Sequence, residues 1–172
     1  MASTNKTTHL NLNQWIASDP VLRSDFNFDN SKIDAAVNAR ALVRLAGGSL
    51  TAAASQISVS LTDYDLTQYM ELQLYVSPVT SASASATLSV NGAAAATLGS
   101  LTADGVQGLI VHLCLLPGGV GGFWFAPGAT GTSSGTFRVT SVTASGLTSL
   151  TLACGSAAFQ SGTGWALYGV KK

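Results

Sequence analysis

The apolar residues of this chain change their spacing once, between Leu45 and Gln56. That change predicts a helical N-terminal segment followed by a β domain. Upstream, Leu22, Phe26, Ile33, Val37, Ala41 and Leu45 recur at intervals of four, seven, four, four and four, close to one stripe of a 3.6-residue helix. Asp19-Pro20 offers a capping side chain and a first-turn residue that needs no amide donor. Ser24, Asn27 and Asn30 are poor interior residues, so the helix is expected to start or bend at Ser24. Gly47-Gly48 reads as its stop. Trp15 and Ile16 precede it in a short extended segment, behind a polar stretch, residues 1–10, expected to be mobile in isolation. The predicted units are therefore 1–48, arm and helix, and 49–172, joined through a Gly/Ala/Ser linker that runs to Ser55.

Downstream the period is two. Ile57, Val59 and Leu61 alternate with Ser58, Ser60 and Thr62, and Leu72, Leu74 and Val76 alternate with Glu71, Gln73 and Tyr75, as in half-buried strands. Thr87–Val90 and Ala95–Leu98 flank Asn91-Gly92, a strong hairpin signal. Gly108–Leu116 is continuously apolar and reads as a central strand. Phe123–Phe125, the alternation from Phe137 to Thr143, Leu150–Cys154 and Trp165–Gly169 complete eight or nine short strands. Ser81–Ala86 reads as a loop or weak edge, Ala126–Gly135 as a loop, and the glycine-rich Leu116–Gly122 as a loop or bulge. The expected fold is mainly β, a jelly-roll-like β-sandwich preceded by an extended N-terminal arm and one amphipathic α-helix.

Charge is scarce and unevenly placed. Only 9% of residues are charged, against roughly 25% in ordinary globular chains. Nine of the sixteen lie within residues 1–44. The Ser-, Thr-, Gly- and Ala-rich remainder suits a domain with large subunit contacts, because a desolvated charge is costly at an interface core. Zero net charge without a basic run disfavours nucleic-acid binding. No apolar run reaches the roughly 18 residues of a membrane helix, and MASTNKTTHL lacks the apolar segment of a secretory signal.

The candidate chemistry is thin. Asp63, Asp65 and Glu71 form the best acidic group, but cation-loop spacing is absent and turn hydrogen bonding explains the aspartates. Five acids lie outside that trio, Asp104 among them, which leaves little for a paired-carboxylate glycosidase. His112 is the sole histidine of the sandwich and lies in an apolar strand, so it reads as packed rather than catalytic. Cys114 and Cys154 read as small buried hydrophobes, able to pair only if their strands are neighbours. No metal, cofactor or enzymatic activity is expected. The aromatics Tyr64, Tyr69, Tyr75, Phe123, Trp124, Phe125, Trp165 and Tyr168 include candidates for stacking on a neutral glycan. The loops Val79–Ala86 and Ala126–Gly135 are where such a site would be sought.

The N-terminal segment carries three further elements: Asn11-Leu12-Asn13-Gln14-Trp15, then Asp19-Pro20-Val21-Leu22-Arg23-Ser24-Asp25-Phe26-Asn27, then Lys32-Ile33-Asp34-Ala35-Ala36. Together they resemble the attachment segments of tailed-bacteriophage virion proteins, over about a fifth of the chain. The resemblance implies a virion surface protein (tail fibre, appendage or head decoration), made in the host cytoplasm and with no catalytic residue. It also implies association as a homotrimer and contact with tail, baseplate or capsid proteins. The residues expected at the attachment or oligomer interface are Trp15, Ile16, Leu22, Phe26, Ile33, Val37 and Leu45. A helix of about 20 residues of this kind is marginal alone. A carbohydrate-binding sandwich merely tethered by its arm, with a host cell-surface glycan as ligand, is the competing expectation.

Overall fold

The computed structural model describes residues 3–40, 42–103, 108–128 and 131–172. Ala41 and Asp104 thus lie outside the described residues. The chain divides into two compact units, Met1–Ala41 and Leu42–Lys172.

The first unit is a small antiparallel hairpin, β1 (Asn5–Lys6) with β2 (Asn13–Gln14), and one helix, α1 (Arg23–Arg40). Asn11 takes a positive φ of 54° in the connection, a conformation that asparagine tolerates. Asn13 ties the hairpin to the helix: its amide donates to Asp29 Oδ2 at 2.8 Å, and its side-chain Oδ1 accepts from Ser3 Oγ at 2.9 Å. Asp19 does not cap the helix as the sequence suggested. Its carboxylate accepts from Thr4 Oγ1 (2.7 Å), the Thr4 amide (3.0 Å) and the Ile16 amide (3.1 Å). These bonds, the Thr4 hydroxyl foremost, hold its pKa below the usual aspartate value. The helix starts at Arg23, three residues beyond Pro20 and one before the alternative start at Ser24, with the Leu22 carbonyl accepting from Asp25 N at 3.0 Å. Asp25, in the first turn, complements the positive end of the helix dipole.

The expected helix through Leu45 is corrected. It ends at Arg40, and Leu42–Ser49 forms strand β3. Seven residues of β3 pair with seven of the last strand, and Leu45 is the extra residue at a bulge opposite Leu167/Tyr168. Leu45 is buried in the sandwich core, and the Tyr64 hydroxyl donates to its carbonyl. Ladder bonding and core burial outweigh the four-residue spacing that Leu45 shares with the helix. Gly47-Gly48 is therefore no stop signal. A side chain at Gly47 would sit 2.9 Å from the Trp165 carbonyl, and Gly48 lies under the Trp165 indole.

The second unit is a β-sandwich. Its further strands are β4 (Gln56–Ser60), β5 (Tyr69–Ser77), β6 (Ala84–Val90), β7 (Ala93–Leu101), β8 (Leu109–Leu116), β9 (Gly119–Gly128), β10 (Gly131–Val139), β11 (Ser149–Cys154) and β12 (Gly164–Lys171). One sheet has the order β10-β9-β8-β5-β12-β3 and the other β4-β11-β6-β7; the pairs are antiparallel. Alternation sends Leu72, Leu74, Val111, Leu113 and Leu167 inward from the first sheet, to meet Leu88, Val90, Leu98, Leu150 and Leu152 of the second in one core. At Asn91-Gly92 both φ angles are positive, 50° and 79°, as a type I′ hairpin requires. Asn91 Oδ1 also accepts from the Thr148 and Ser149 amides at 2.8 and 3.1 Å.

Three local expectations differ from the structure. Ala126–Gly135 is mostly strand, because β9 and β10 extend into a long hairpin. The glycine-rich run is a turn only at Pro117-Gly118, after which Gly121 and Gly122 lie within β9. There the missing side chain of Gly122 leaves room for the His112 backbone carbonyl, with the Phe137 ring 3.1 Å from where a Cβ would be. The alternation after Phe137 stops at Val139, so Ser141 and Thr143 fall outside the strand.

Candidate functional site

Two surfaces stand out, one on each unit. Leu22, just before α1, and Phe26, Ile33 and Val37 on it are 41, 48, 41 and 65% exposed, although their spacing puts them on one stripe. Asp29, three residues after Phe26 and four before Ile33, lies along this same side of the helix and is buried where it accepts from the Asn13 amide of the hairpin. Trp15 stacks on Phe26 at 4.8 Å between ring centroids, and Ile16 is exposed. Six of the seven residues expected at an attachment interface thus belong to this unit. Leu45 does not, for it is core of the sandwich.

The second surface is the outer face of the six-stranded sheet. Register places Tyr75, Ile110, Phe125 and Ser134 in one rung across β5, β8, β9 and β10, and Gln73, His112, Phe123 and Thr136 in the next. Tyr75, Phe123 and Phe125 are 36, 47 and 42% exposed. His112 stacks on Phe123 with centroids 4.4 Å apart and planes within 12°. Tyr168 meets Tyr75 edge to face at 5.8 Å.

A line of hydrogen bonds runs beside these rings. The Tyr75 hydroxyl donates to Gln73 Oε1 at 2.9 Å, Gln73 Nε2 donates to Glu71 Oε1 at 3.3 Å, and His112 Nδ1–H donates to the same Glu71 oxygen. The Glu71–His112 pair was not legible beforehand, since 41 residues separate the two; only the antiparallel register of β5 and β8 brings them side by side. Two hollows lie on this face. One, of about 410 Å³, opens beside Ile110, Phe123, Phe125, Ser134 and Thr136. The other, of about 510 Å³, lies beside Tyr75 over Gly164 and Ala166, and Ile110 borders both.

The remaining sequence candidates separate. Trp124 and Tyr69 are buried, and Tyr64 and Trp165 pack against the core. The outward aromatics are on strands, not in the two loops where a glycan site was sought. In Val79–Ala86, Thr80, Ala84 and Ala86 are buried. The acidic trio does not assemble: Asp65 accepts from Thr67 and Gln68, which lower its pKa with the Thr67 hydroxyl as main cause, whereas Glu71 turns to His112. Among the described residues no group of three metal-ligating side chains forms.

Cys114 is half-buried on β8, while Cys154 is buried on β11 of the other sheet, and both are free thiols. Burial raises the Cys154 pKa. His112 Nδ1 is engaged by Glu71. No described helix is long and apolar enough to cross a membrane. No protein-family model matches the chain, nor does any curated protein or solved structure.

Proposed function

We propose that this chain is a non-enzymatic structural subunit of a bacteriophage virion surface, a fibre, appendage or head-decoration protein. Its N-terminal unit attaches it to the particle and to two further copies of itself. The observation that carries this reading is the exposed stripe Leu22, Phe26, Ile33 and Val37 on a unit that divides from the sandwich at Ala41. A helix that leaves its apolar stripe in water is stabilised by partners, and the attachment-type motifs lie in this same unit.

The sandwich supports the reading through its strand order. The orders β3-β12-β5-β8 and β4-β11-β6-β7 support reading this sandwich as a jelly roll, the kind of fold that capsid and lectin domains use. The β9–β10 hairpin extends one sheet beyond that plan. A surface so poor in charge suits close packing among subunits.

The test is incorporation into particles. Full-length protein is expected in particles purified from lysed producing cells, detected by mass spectrometry, and the chain lacking residues 1–41 is expected to be missing from them. Equal incorporation of the truncated chain would overturn the attachment role. A second reading, a carbohydrate-binding sandwich tethered by its arm, is favoured by the exposed rings of Tyr75, Phe123 and Phe125.

A further inference from the structure

We infer that the outer face of the six-stranded sheet is a binding site for a neutral oligosaccharide, with Phe123 and Phe125 as its stacking platform and the Gln73–Glu71–His112 line as its hydrogen-bonding rail. This gives the second reading a site and a ligand class, and it does not depend on the virion reading.

The argument begins with what the face offers. Two adjacent rungs of the sheet lie roughly 7 Å apart, and four neighbouring strands span roughly 15 Å. That area is the footprint of a short oligosaccharide. Its apolar half is aromatic and open, with Phe123 47% and Phe125 42% exposed. Aromatic faces pack on the C–H faces of sugar rings. The hollow beside Phe123 and Phe125 also presents the side chains of Ser134 and Thr136.

The polar half is held in place before any ligand arrives. Gln73 is fixed between the Tyr75 hydroxyl and Glu71, and His112 is held by Glu71 on one side and by the Phe123 ring on the other. The Glu71 and His112 side chains are only 25% and 21% exposed. Among the described residues, Glu71 Oε2 and His112 Nε2 still have no protein partner. Together they offer an acceptor pair or a donor–acceptor pair at the edge of the aromatic platform.

This combination selects the occupant. An apolar partner, including a second copy packing ring on ring, would desolvate Glu71 without satisfying it, and an unsatisfied buried charge is costly. A polyol satisfies both halves at once, hydroxyls on the rail and C–H groups on the rings. Neither hollow is lined by Lys, Arg or Asp, so an acidic sugar finds no counter-charge and meets Glu71 as a like charge. The ligand class is therefore neutral.

The experiment titrates the full-length protein with neutral oligosaccharides of α- and β-linked glucose, mannose, galactose and N-acetylglucosamine. Oligogalacturonate serves as the acidic control, and binding is read by calorimetry and by amide shifts in NMR spectra. At least one neutral series is expected to bind and to shift the amides of Gln73, Phe123 and Phe125. Phe123→Ala and Phe125→Ala are each expected to weaken binding about tenfold, and Gln73→Ala to weaken it about threefold, with thermal unfolding essentially unchanged. Four results would overturn the site: no neutral series binds, only the acidic control binds, the phenylalanine variants bind as well as the parent, or these variants change the protein's mass in solution while no sugar binds. A chain that fails to join particles yet binds a neutral glycan here would remove the virion reading alone.

Discussion

Removing residues 1–41 is expected to leave a sandwich that folds and melts cooperatively, whereas removing residues 1–48 is expected to destabilise it by about 3–5 kcal/mol, a large share of the roughly 5–15 kcal/mol available to a domain. The difference is β3. Cutting after Gly48 deletes six of the seven residues that pair with β12 and exposes the β12 edge. It also deletes Leu45, whose burial alone is worth about 2–3 kcal/mol. The Tyr64 hydroxyl loses its acceptor at the Leu45 carbonyl. Chemical denaturation of the two truncated chains measures this directly. Equal midpoints would show that β3 is dispensable and that the boundary lies nearer Ser49.

Phe159→Ala is the single substitution with the largest expected cost, about 3–5 kcal/mol by the usual scale for emptying a buried phenylalanine site. The ring is fully buried, in the connection between β11 and β12. Its backbone makes two hydrogen bonds with Ala54, each 2.9 Å, and bridges to Thr80 as well. Three separate loops are thus pinned at one residue. The domain's melting temperature is expected to fall by roughly 10–15 °C. Phe123→Ala, on the outer face, provides the contrast and is expected to shift it by no more than about 2 °C. A small effect at Phe159 would mean that the loops are held by the surrounding ladders and not by the ring.

How far the sequence anticipates this structure depends on the range over which each signal acts. Alternation is local and strong, so β4, β5, β11 and β12 stand where the period of two places them, and β8 stands where the continuous apolar run Gly108–Leu116 places it. Asn91-Gly92 is equally local, because the backbone conformation its turn demands suits few other residue pairs. Leu45 shows the opposite case. Its four-residue spacing from Ala41 and Val37 continues the helical pattern, and only the presence of β12 as a partner shows that it belongs to a bulged strand. Ala126–Gly135 looked like a loop because Pro, Gly, Ser and Thr dominate it, yet a long hairpin against β8 carries it as strand. Phe159 gave no periodic signal at all, being an isolated aromatic between small residues. Glu71 and His112 are each visible, the first as a polar residue of an alternating strand grouped with Asp63 and Asp65 and the second as a packed histidine, since pairing at a separation of 41 residues is a property of sheet register. The aromatic candidates separated the same way: parity alone sends Phe123 and Phe125 outward and Trp124 inward.

The mass of the protein in solution tests the central claim most directly. Light scattering of the full-length chain beside residues 42–172 is expected to give a trimer that falls to monomer once the N-terminal unit is gone, since the proposed contact between copies runs through the exposed residues Phe26, Ile33 and Val37. A full-length chain that runs as a monomer, or a trimer that survives the loss of residues 1–41, would contradict the account.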